Sequence, residues 1–299
     1  MLTHPFEVPE SKKIRLIINT DAKNEADDQY AIVHALLTPR FNLKGIIAAH
    51  FGERRTTASM QESYDEIINL LDLMNMNDEV PVFKGTERSI PNENTPTMSE
   101  GAELIIREAM LDDRQPLYVI FLGAITDLAS AYLACPEIAG RFTAVWIGGG
   151  PWPNGDFEFN LSNDIAAANV VFRSNIPLWV IPCNVYSTIR VSIAELAVKV
   201  KPYGKIGAYL FEQLVEFNHR ICLTEDWPKG ERWCLGDSPA VSVLLDDHEF
   251  FYEMKPAPRI TSDMRYVHDQ SERLVRWYNH IDSRFTLEDM YAKLQLHYG

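Results

Sequence analysis

An acidic segment directly follows the first apolar run of the chain. After the β-branched stretch Ile14–Thr20, the next eight residues contain four carboxylic acids: Asp21, Glu25, Asp27 and Asp28. Carboxylates that converge repel one another unless a cation neutralises them, and oxygen-only ligands select a hard ion. The segment therefore predicts a site for Ca²⁺, with Mg²⁺ as the less favoured ion. For Asp27 alone, the attraction of acids to a helix N-terminus is an equally good explanation.

Further polar residues follow later apolar runs, where an open α/β sheet binds its ligands. They lie in the segments Phe121–Ala129, Trp146–Gly150, Glu158–Asp164 and Gly236–Ala240. Simpler structural roles are open for several of them. Asn160 could cap a turn, Thr126 could be a helix N-cap, Asp237 could only start a helix, and Asp164 is expected to cap the following helix. Gly148–Gly150 could let a ligand approach the backbone or form a tight turn.

Short apolar runs that alternate with amphipathic stretches indicate the elements that hold these residues. The predicted strands are Ile14–Thr20, Leu43–Phe51, Val80–Lys84, Leu117–Gly123, Phe142–Ile147 and Leu178–Cys183. The predicted helices between them are Asp27–Leu37, Thr57–Asn75, Ser99–Leu111, Ile125–Ala134 and Asn163–Ser174. This order predicts an α/β fold with a mostly parallel central sheet flanked by helices.

The pattern becomes more helical after Val191. Tyr203–Cys222 is predicted as one long helix, followed by an antiparallel pair, Phe250–Ile260 with Arg273–Ile281, and a final helix at Thr286–Leu296. No linker, repeat or low-complexity segment interrupts the chain, so we expect a single domain over residues 1–299.

Composition narrows the class of partner. Lys and Arg total 28 and Asp and Glu total 42, which gives a net charge of −14 with His neutral. Such a surface repels nucleic acid and anionic lipid, so we expect no nucleic-acid polymer and no membrane as partners. The four cysteines form no C-x-x-C pair, and the N-terminus lacks the apolar core of a signal peptide. We therefore expect reduced thiols and a cytoplasmic location.

Five motifs in order resemble one family. The chain reads N-T-D-A-K-N-E-A-D-D, L-G-A-I-T-D-L-A, W-I-G-G-G, E-F-N and G-D-S-P from residue 14 to about 245. These resemble D-T-D-P-G-x-D-D, L-G-P-L-T-N-L-A, I-M-G-G, E-F-N and H-D-P of the calcium-dependent nucleoside hydrolases of the inosine–uridine type. The chain looks like a divergent member. The resemblance implies a Rossmann-like fold, a nucleoside substrate, a role in nucleoside catabolism and purine salvage, and a homo-oligomer, either dimer or tetramer.

The resemblance also implies roles for individual residues. Asp21, Asp28 and Asp237 would bind Ca²⁺ through their carboxylates, and Thr126 would bind it through its main-chain carbonyl. Asp21 would be the general base for a calcium-bound water, and Asn160 would act with it in catalysis. The residues implied at the nucleoside are Asp27, Glu158, Asn160 and Asp237, with Glu53 and His50 on the side of the base. Cleavage would pass through an oxocarbenium-like sugar and give ribose and free base.

Three departures from the family pattern change the expected site. The opening motif is two residues longer, with Ala22 and Lys23 in place of Pro-Gly, which can bring Asn24 or Glu25 into the site. Glu53 stands where the family commonly has Asn. Gly236 stands where many members have a His that protonates the departing base.

The missing His leaves the proton donor open. General acid catalysis contributes roughly 10²–10⁴ in rate, so a substitute is expected. His50 is one candidate and His219, on the long helix, a weaker one. Alternatively, loop tryptophans could stack on the base and raise its basicity: Trp152, Trp227 and Trp233. Each of these side chains could instead simply be packed in the core.

Three functions remain open from the sequence. The first is an N-ribosyl hydrolase, which the ordered motifs favour. The second is a non-catalytic, calcium-dependent sensor of sugars or nucleosides, which the missing His motivates. The third is a metal-dependent phosphatase, because N-T-D loosely resembles an aspartyl nucleophile loop, although no second acid lies two residues from Asp21.

Overall fold

Alternating strands and helices make up the first part of the chain. The computed structural model describes residues 4–225, 227–228, 230–246, 249–268 and 272–299. In chain order the elements are β1 (Ile14–Thr20), α1 (Asp28–Leu36), β2 (Phe41–Ala48), α2 (Ser59–Met74), β3 (Val82–Lys84), α3 (Glu100–Met110), β4 (Leu117–Phe121), α4 (Thr126–Ala134), β5 (Thr143–Ile147), α5 (Phe159–Asn163), α6 (Ile165–Arg173) and β6 (Leu178–Ile181).

The remaining part is more helical and carries short strands. Its elements are α7 (Cys183–Tyr186), β7 (Arg190–Ser192), α8 (Ile193–Lys199), α9 (Gly204–Ile221), β8 (Arg232–Cys234), α10 (Ser238–Ser242), β9 (Tyr252–Pro256), β10 (Arg259–Ile260), β11 (Tyr266–Val267), β12 (Leu274–Tyr278) and α11 (Ser283–Tyr298). Two short antiparallel pairs lie outside the main sheet. Strand β7 pairs with β8 over three residues, and β10 pairs with β11 over two.

The main sheet has eight strands in the order β3-β2-β1-β4-β5-β6-β12-β9. All neighbouring pairs are parallel except β12 with β9, which is antiparallel. The order reverses between β1 and β4, since β2 and β3 extend to one side and β4, β5 and β6 to the other. A reversal of this kind leaves a crevice at the carboxyl ends of the strands, where α/β proteins bind ligands.

Strand β1 shows why the sheet is buried on both sides. All seven of its residues are buried, and successive side chains point to opposite faces. Leu16 and Ile18 belong to one hydrophobic core and Ile17 to the other. Burial of each such side chain contributes about 1.5–3 kcal/mol, so the strand that ends at Asp21 is firmly held in the middle of the molecule.

The predicted fold class is confirmed, and the predicted long helix and antiparallel pair correspond to α9 and to β9 with β12. Boundaries differ by a few residues. The strand predicted to reach Cys183 ends at Ile181, because Pro182 has no N–H to donate and Cys183 already begins α7. In the described part of the chain, no helix is long and apolar enough to cross a membrane.

Candidate metal and sugar site

The loop after β1 carries the first acid of the candidate site. Asp21 follows the last strand residue and is 1% exposed, and its Oδ2 has no hydrogen-bond partner within the described residues. Gly123, after β4, packs directly against it: a Cβ atom there would lie 2.5 Å from Oδ1 of Asp21. Glycine is therefore required at this point of the L-G-A motif for the two strand ends to meet.

Helix α1 begins within the acidic segment. Asp28 is its first residue and accepts a hydrogen bond from the hydroxyl of Thr20. Asp27, at the N-cap position, makes no side-chain cap bond, and its Oδ2 instead accepts a bond of 2.9 Å from the backbone N–H of Gly236. Asp27 thus lies at the helix N-terminus, as the macrodipole alternative expects, but its side chain is bonded to Gly236 and does not cap α1.

Asp237 arrives from the far end of the sequence and meets these acids. It precedes α10 but does not cap it, so the helix-start interpretation does not explain its side chain. One carboxylate oxygen each from Asp27, Asp28 and Asp237 lies within 4.8 Å of the other two. Segments more than 200 residues apart thus bring three acids together at one point.

We call the cavity at this point the acidic pocket. It is lined by Asp21, Asn24, Glu25, Asp27, Asp28, Leu122, Ile147, Glu158, Phe159, Asn160, Tyr186, Gly236 and Asp237. Six of these residues are acids, and the lining contains no Lys, Arg or His. Asn24 and Glu25, which the longer opening motif was expected to bring into the site, both line this pocket.

The crowding of acids raises their pKa values. Burial, followed by repulsion from Asp28, raises the pKa of Asp21 well above its usual range. Burial also raises the pKa of Asp237, with repulsion from Asp27 and Asp28 adding to it. For Asp28 burial raises the pKa to about 6, although hydrogen bonds from Thr20 and Asp237 oppose the shift. Several carboxylates in one buried place favour either protons or a cation.

The donor set fits a hard divalent cation. Every candidate ligand atom is a carboxylate oxygen, and Oδ2 of Asp21 is a buried acceptor without a donor in the described structure. Oxygen-only sets of this kind suit Ca²⁺ or Mg²⁺ rather than Zn²⁺, which favours nitrogen and sulfur.

Glu158 and Asn160 form the opposite wall and are anchored by many hydrogen bonds. Glu158 caps α5 and accepts bonds from the N–H groups of Gly149, Asn160 and Leu161 at 2.8–3.1 Å. The side-chain nitrogen of Asn160 donates to the carbonyls of Leu122 and Ile147, at 2.7 and 2.9 Å. Because that nitrogen is occupied, the side-chain oxygen of Asn160 is the atom that can accept a bond from a ligand.

Tyr186 fills the space next to Gly236. Its hydroxyl donates to Oε1 of Glu158 at 2.8 Å. A Cβ atom at Gly236 would lie 2.9 Å from Cδ2 of Tyr186, so a His at 236 would collide with this ring. Sequence reasoning missed Tyr186, which belongs to none of the five motifs. The one sequence feature that pointed to it is Gly236, which stands where many family members have a His and leaves room for the Tyr186 ring.

Three residues predicted at the site lie outside the acidic pocket: His50, Glu53 and Thr126. Thr126 is the first residue of α4, where the main-chain carbonyl points along the helix, and the residue of this segment that lines the pocket is Leu122. Thr126 does not act as an N-cap either, since that position is Ile125.

His50 is buried, and both of its ring nitrogens contact neighbouring protein groups. It is 1% exposed, its Nε2 is paired with the hydroxyl of Thr126 at 2.9 Å, and its Nδ1 accepts from the backbone of Gly52 at 3.2 Å. Burial lowers its pKa to about 4, so the ring is neutral at neutral pH. Glu53 is exposed on the loop after β2.

The other predicted base-side residues are also elsewhere in the described structure. Trp152 packs against Trp277, and Trp233 is buried between Phe217 and Trp227, so none of the three predicted tryptophans lines the acidic pocket. His219 is exposed on α9. Asp164 caps α6 as predicted, with its Oδ1 accepting from the N–H of Ala167 at 2.9 Å.

Comparisons with solved structures agree with this architecture. A purine-preferring ribonucleoside hydrolase from Gardnerella vaginalis superposes with a TM-score of 0.76 at 21% identity, over 95% of this chain and 99% of that one. A plant nucleoside hydrolase, PpNRh1, gives 0.75 at 18% identity, over 94% and 98%. At these identities the likeness establishes the fold.

Sequence comparisons identify the family. The pyrimidine-specific ribonucleoside hydrolase RihA of Salmonella paratyphi A is 21% identical over 249 residues, covering 75% of each chain. The non-specific ribonucleoside hydrolase RihC of Escherichia fergusonii is 26% identical over 195 residues, or 55% of this chain and 60% of that protein. The family model described as inosine-uridine preferring nucleoside hydrolase matches residues 16–291. The chain therefore belongs to the inosine-uridine preferring nucleoside hydrolase family, a family of N-ribosyl hydrolases.

Proposed function

We propose that the protein hydrolyses the N-glycosidic bond of a ribonucleoside or a close analogue, with Ca²⁺ bound in the acidic pocket. The observation that carries this proposal is the meeting of Asp21, Asp28 and Asp237 beside Glu158 and Asn160 in a lining without cations. The first three acids would hold the ion together with Asp27, whose oxygen lies in the same group. A bound divalent cation supplies a Lewis acid that lowers the pKa of water and anchors a sugar diol.

The side chains themselves account for the remaining steps. Asp21 has a carboxylate oxygen without a hydrogen-bond donor, which supports a role in taking the proton of the attacking water. The side-chain oxygen of Asn160 accepts from a ribose hydroxyl, and Glu158, fixed by its backbone bonds, lies beside it. The surrounding negative charge stabilises the positive charge that develops on the sugar as the glycosidic bond breaks.

The proposal is tested with protein that has been stripped of metal by EDTA and then dialysed. Such protein should release reducing sugar from at least one member of a panel of purine and pyrimidine ribonucleosides only after Ca²⁺ is restored. Asp21→Ala should abolish this turnover, because no other residue is proposed to take the proton. Binding of nucleosides without any turnover would instead favour the calcium-dependent sensor, and inactivity with no binding would reject both.

Several finer expectations stay predictions. They are the identity of the ion, the homo-oligomeric state, the cytoplasmic location and the role in purine salvage. The family match over residues 16–291 gives the phosphatase hypothesis no support.

A further inference from the structure

A second cavity shares Asn24 with the acidic pocket but, unlike it, is lined by basic side chains. We call it the cationic cavity, after Lys23, Arg55 and Arg220, which line it together with the rings of Phe51 and Phe217. Its volume is about 500 Å³, and Asn24 lines both cavities. Two acids, Glu62 and Glu225, also line it, so its basic residues outnumber its acids by three to two.

Arg55 lies at the boundary between the two cavities. Its Nη1 donates to the backbone carbonyl of Asn24 and, at 2.7 Å, to the side-chain oxygen of the same residue. The guanidinium carbon lies 5.8 Å from the ring centre of Phe159, which lines the acidic pocket, and 5.9 Å from that of Phe217. Two aromatic rings and one asparagine thus hold the cation in place.

Arg55 keeps donors available for a ligand. Among the residues that the structure describes, its Nε and Nη2 make no hydrogen bond and no close ion pair, although its charge also acts on Glu25 of the acidic pocket. Lys23, by contrast, is paired with Glu66 at 2.7 Å. Since an arginine remains protonated throughout the physiological range, Arg55 offers a permanent positive charge with free N–H groups.

The wall of the acidic pocket at Gly236 is closely packed. Tyr186 and Gly236 leave no room there for a further side chain, and Tyr186 directs its hydroxyl at Glu158. Asn24 lines both cavities, so a group attached to a sugar in the acidic pocket can extend past Asn24 towards Arg55.

We propose that the cationic cavity receives the leaving group of the glycosidic bond and that Arg55 contacts it there, stabilising the negative charge that it acquires. This inference rests on the proposed function. As the bond between C1′ and the base nitrogen breaks, its electron pair passes to the base, whose charge is shared with its exocyclic oxygen atoms. Water adds to C1′ and loses a proton to Asp21, and the departed base takes a proton from solvent. The ligand class is thus a base that can leave as an anion.

The experiment compares ribosides that differ in leaving-group pKa. In Arg55→Ala, kcat/KM for a nucleoside with a poor leaving group, such as inosine or uridine, should fall about 10²-fold, the loss typical of one preorganised donor at a developing anion. Hydrolysis of p-nitrophenyl riboside, whose leaving group is already a stable anion, should change less than about threefold, because it needs little help. Added guanidinium ion should restore part of the nucleoside activity of Arg55→Ala.

Arg54→Ala is the matched control. Arg54 precedes Arg55 on the same loop, lies 6.0 Å from the ring of Phe157, and lines neither cavity, so its removal should leave both substrates unaffected. Arg55→Lys retains the charge but not the geometry and should be intermediate.

Several outcomes would overturn the inference. An equal loss on both substrates would mean that Arg55 only holds Asn24. A loss seen only with ribosides that carry a phosphate on the sugar, and only as a higher KM, would assign the cavity to that phosphate. A fall in nucleoside kcat/KM above pH 7 that disappears in Glu25→Gln would make Glu25 the proton donor instead. Failure of the wild-type protein on every riboside would remove the proposed function as well, whereas wild-type turnover with unchanged Arg55→Ala removes only this inference.

Discussion

The acidic pocket and the cationic cavity share Asn24 but are built in opposite ways. The acids of the first follow β1, start α1 or precede α5 and α10, and Asp21, Asp28, Glu158 and Asp237 are at most 5% exposed. The cations of the second, Lys23, Arg55 and Arg220, are exposed and come from loops and the end of α9. The part proposed for metal and sugar is thus fixed by the sheet, and the part proposed for the leaving group lies on segments that tolerate change.

The two sites also differ in how much their charged groups destabilise the folded chain. Buried carboxylates at close range destabilise the folded chain unless protons or a cation neutralise them. Exposed cations cost little, because water solvates them. We therefore expect folding to depend on protons or a cation in the acidic pocket, and not on the cationic cavity.

The largest effect should come from removing one carboxylate of the acidic pocket. In Asp237→Asn we expect kcat/KM for a nucleoside to fall about 10³-fold, since the metal supplies several kcal/mol of charge stabilisation and each 1.4 kcal/mol is tenfold. Isothermal titration should show weaker Ca²⁺ binding in parallel. Glu53→Gln, on the exposed loop after β2 and outside the pocket, is the control and should change neither quantity. Unaltered Ca²⁺ affinity in Asp237→Asn would show that the acids do not act as one site.

A second prediction concerns stability against pH in the metal-free protein. The pKa of Asp28 is raised to about 6 and that of Glu25 to about 7, in both cases mainly by burial. The unfolded chain loses these protons near pH 4, while the folded chain keeps them until pH 6–7. The folded state therefore binds more protons in this window, and its stability falls as pH rises.

In EDTA, we expect the free energy of unfolding, measured with urea, to drop by on the order of 4 kcal/mol between pH 5 and pH 8. Asp289 behaves differently: burial acts to raise its pKa, but the hydrogen bond to His34 helps to lower that pKa overall. Its contribution to stability therefore changes in the opposite direction, and at pH values below this range. Saturating Ca²⁺ should flatten the dependence, because the ion replaces the protons. A metal-free protein that becomes more stable from pH 5 to pH 8 would show that the carboxylates do not govern its folding.

The sequence indicated the acids because their positions follow from local pattern. Asp21 comes directly after an apolar strand, and Asp28 opens a helix, so both had to lie at the ligand-binding edge. The carbonyl ligand implied by the resemblance is that of Thr126, which begins α4 in the structure, whereas Leu122 of the same segment lines the pocket. The sequence pattern could not say where the strand end gives way to helix. His50 was expected near the base because it stands at the end of the second predicted strand. In the structure its side chain is directed at Thr126 instead.

Tyr186 could not have been found in this way. Its contact with Glu158 joins α7 to the N-terminus of α5, and its contact with Gly236 joins it to a segment 50 residues later. Such packing depends on how loops at the sheet edge fit together, which carries no periodic signal. The same holds for Arg55, which reaches Asn24 across 31 residues.

The smallest predicted effect tests whether hydrogen bonds set the shape of the acidic pocket. Tyr186→Phe removes one donor to Oε1 of Glu158 and leaves that oxygen with the backbone N–H of Asn160. A hydrogen bond to a charged group contributes about 1.5–3 kcal/mol, part of which the remaining donors recover, so we expect kcat/KM to fall about tenfold. The loss should appear mainly in KM, because Glu158 is proposed to lie at the ground-state ribose.

Tyr266→Phe provides the comparison, since Tyr266 is also buried and donates to a backbone carbonyl, that of Gly150, without lining either cavity. It should leave KM unchanged even if it lowers stability. If both variants lost the same stability and neither changed KM, Tyr186 would serve only as packing beside Gly236. A rise in KM confined to Tyr186→Phe would instead mean that the sugar side of the site depends on fixed side-chain hydrogen bonds.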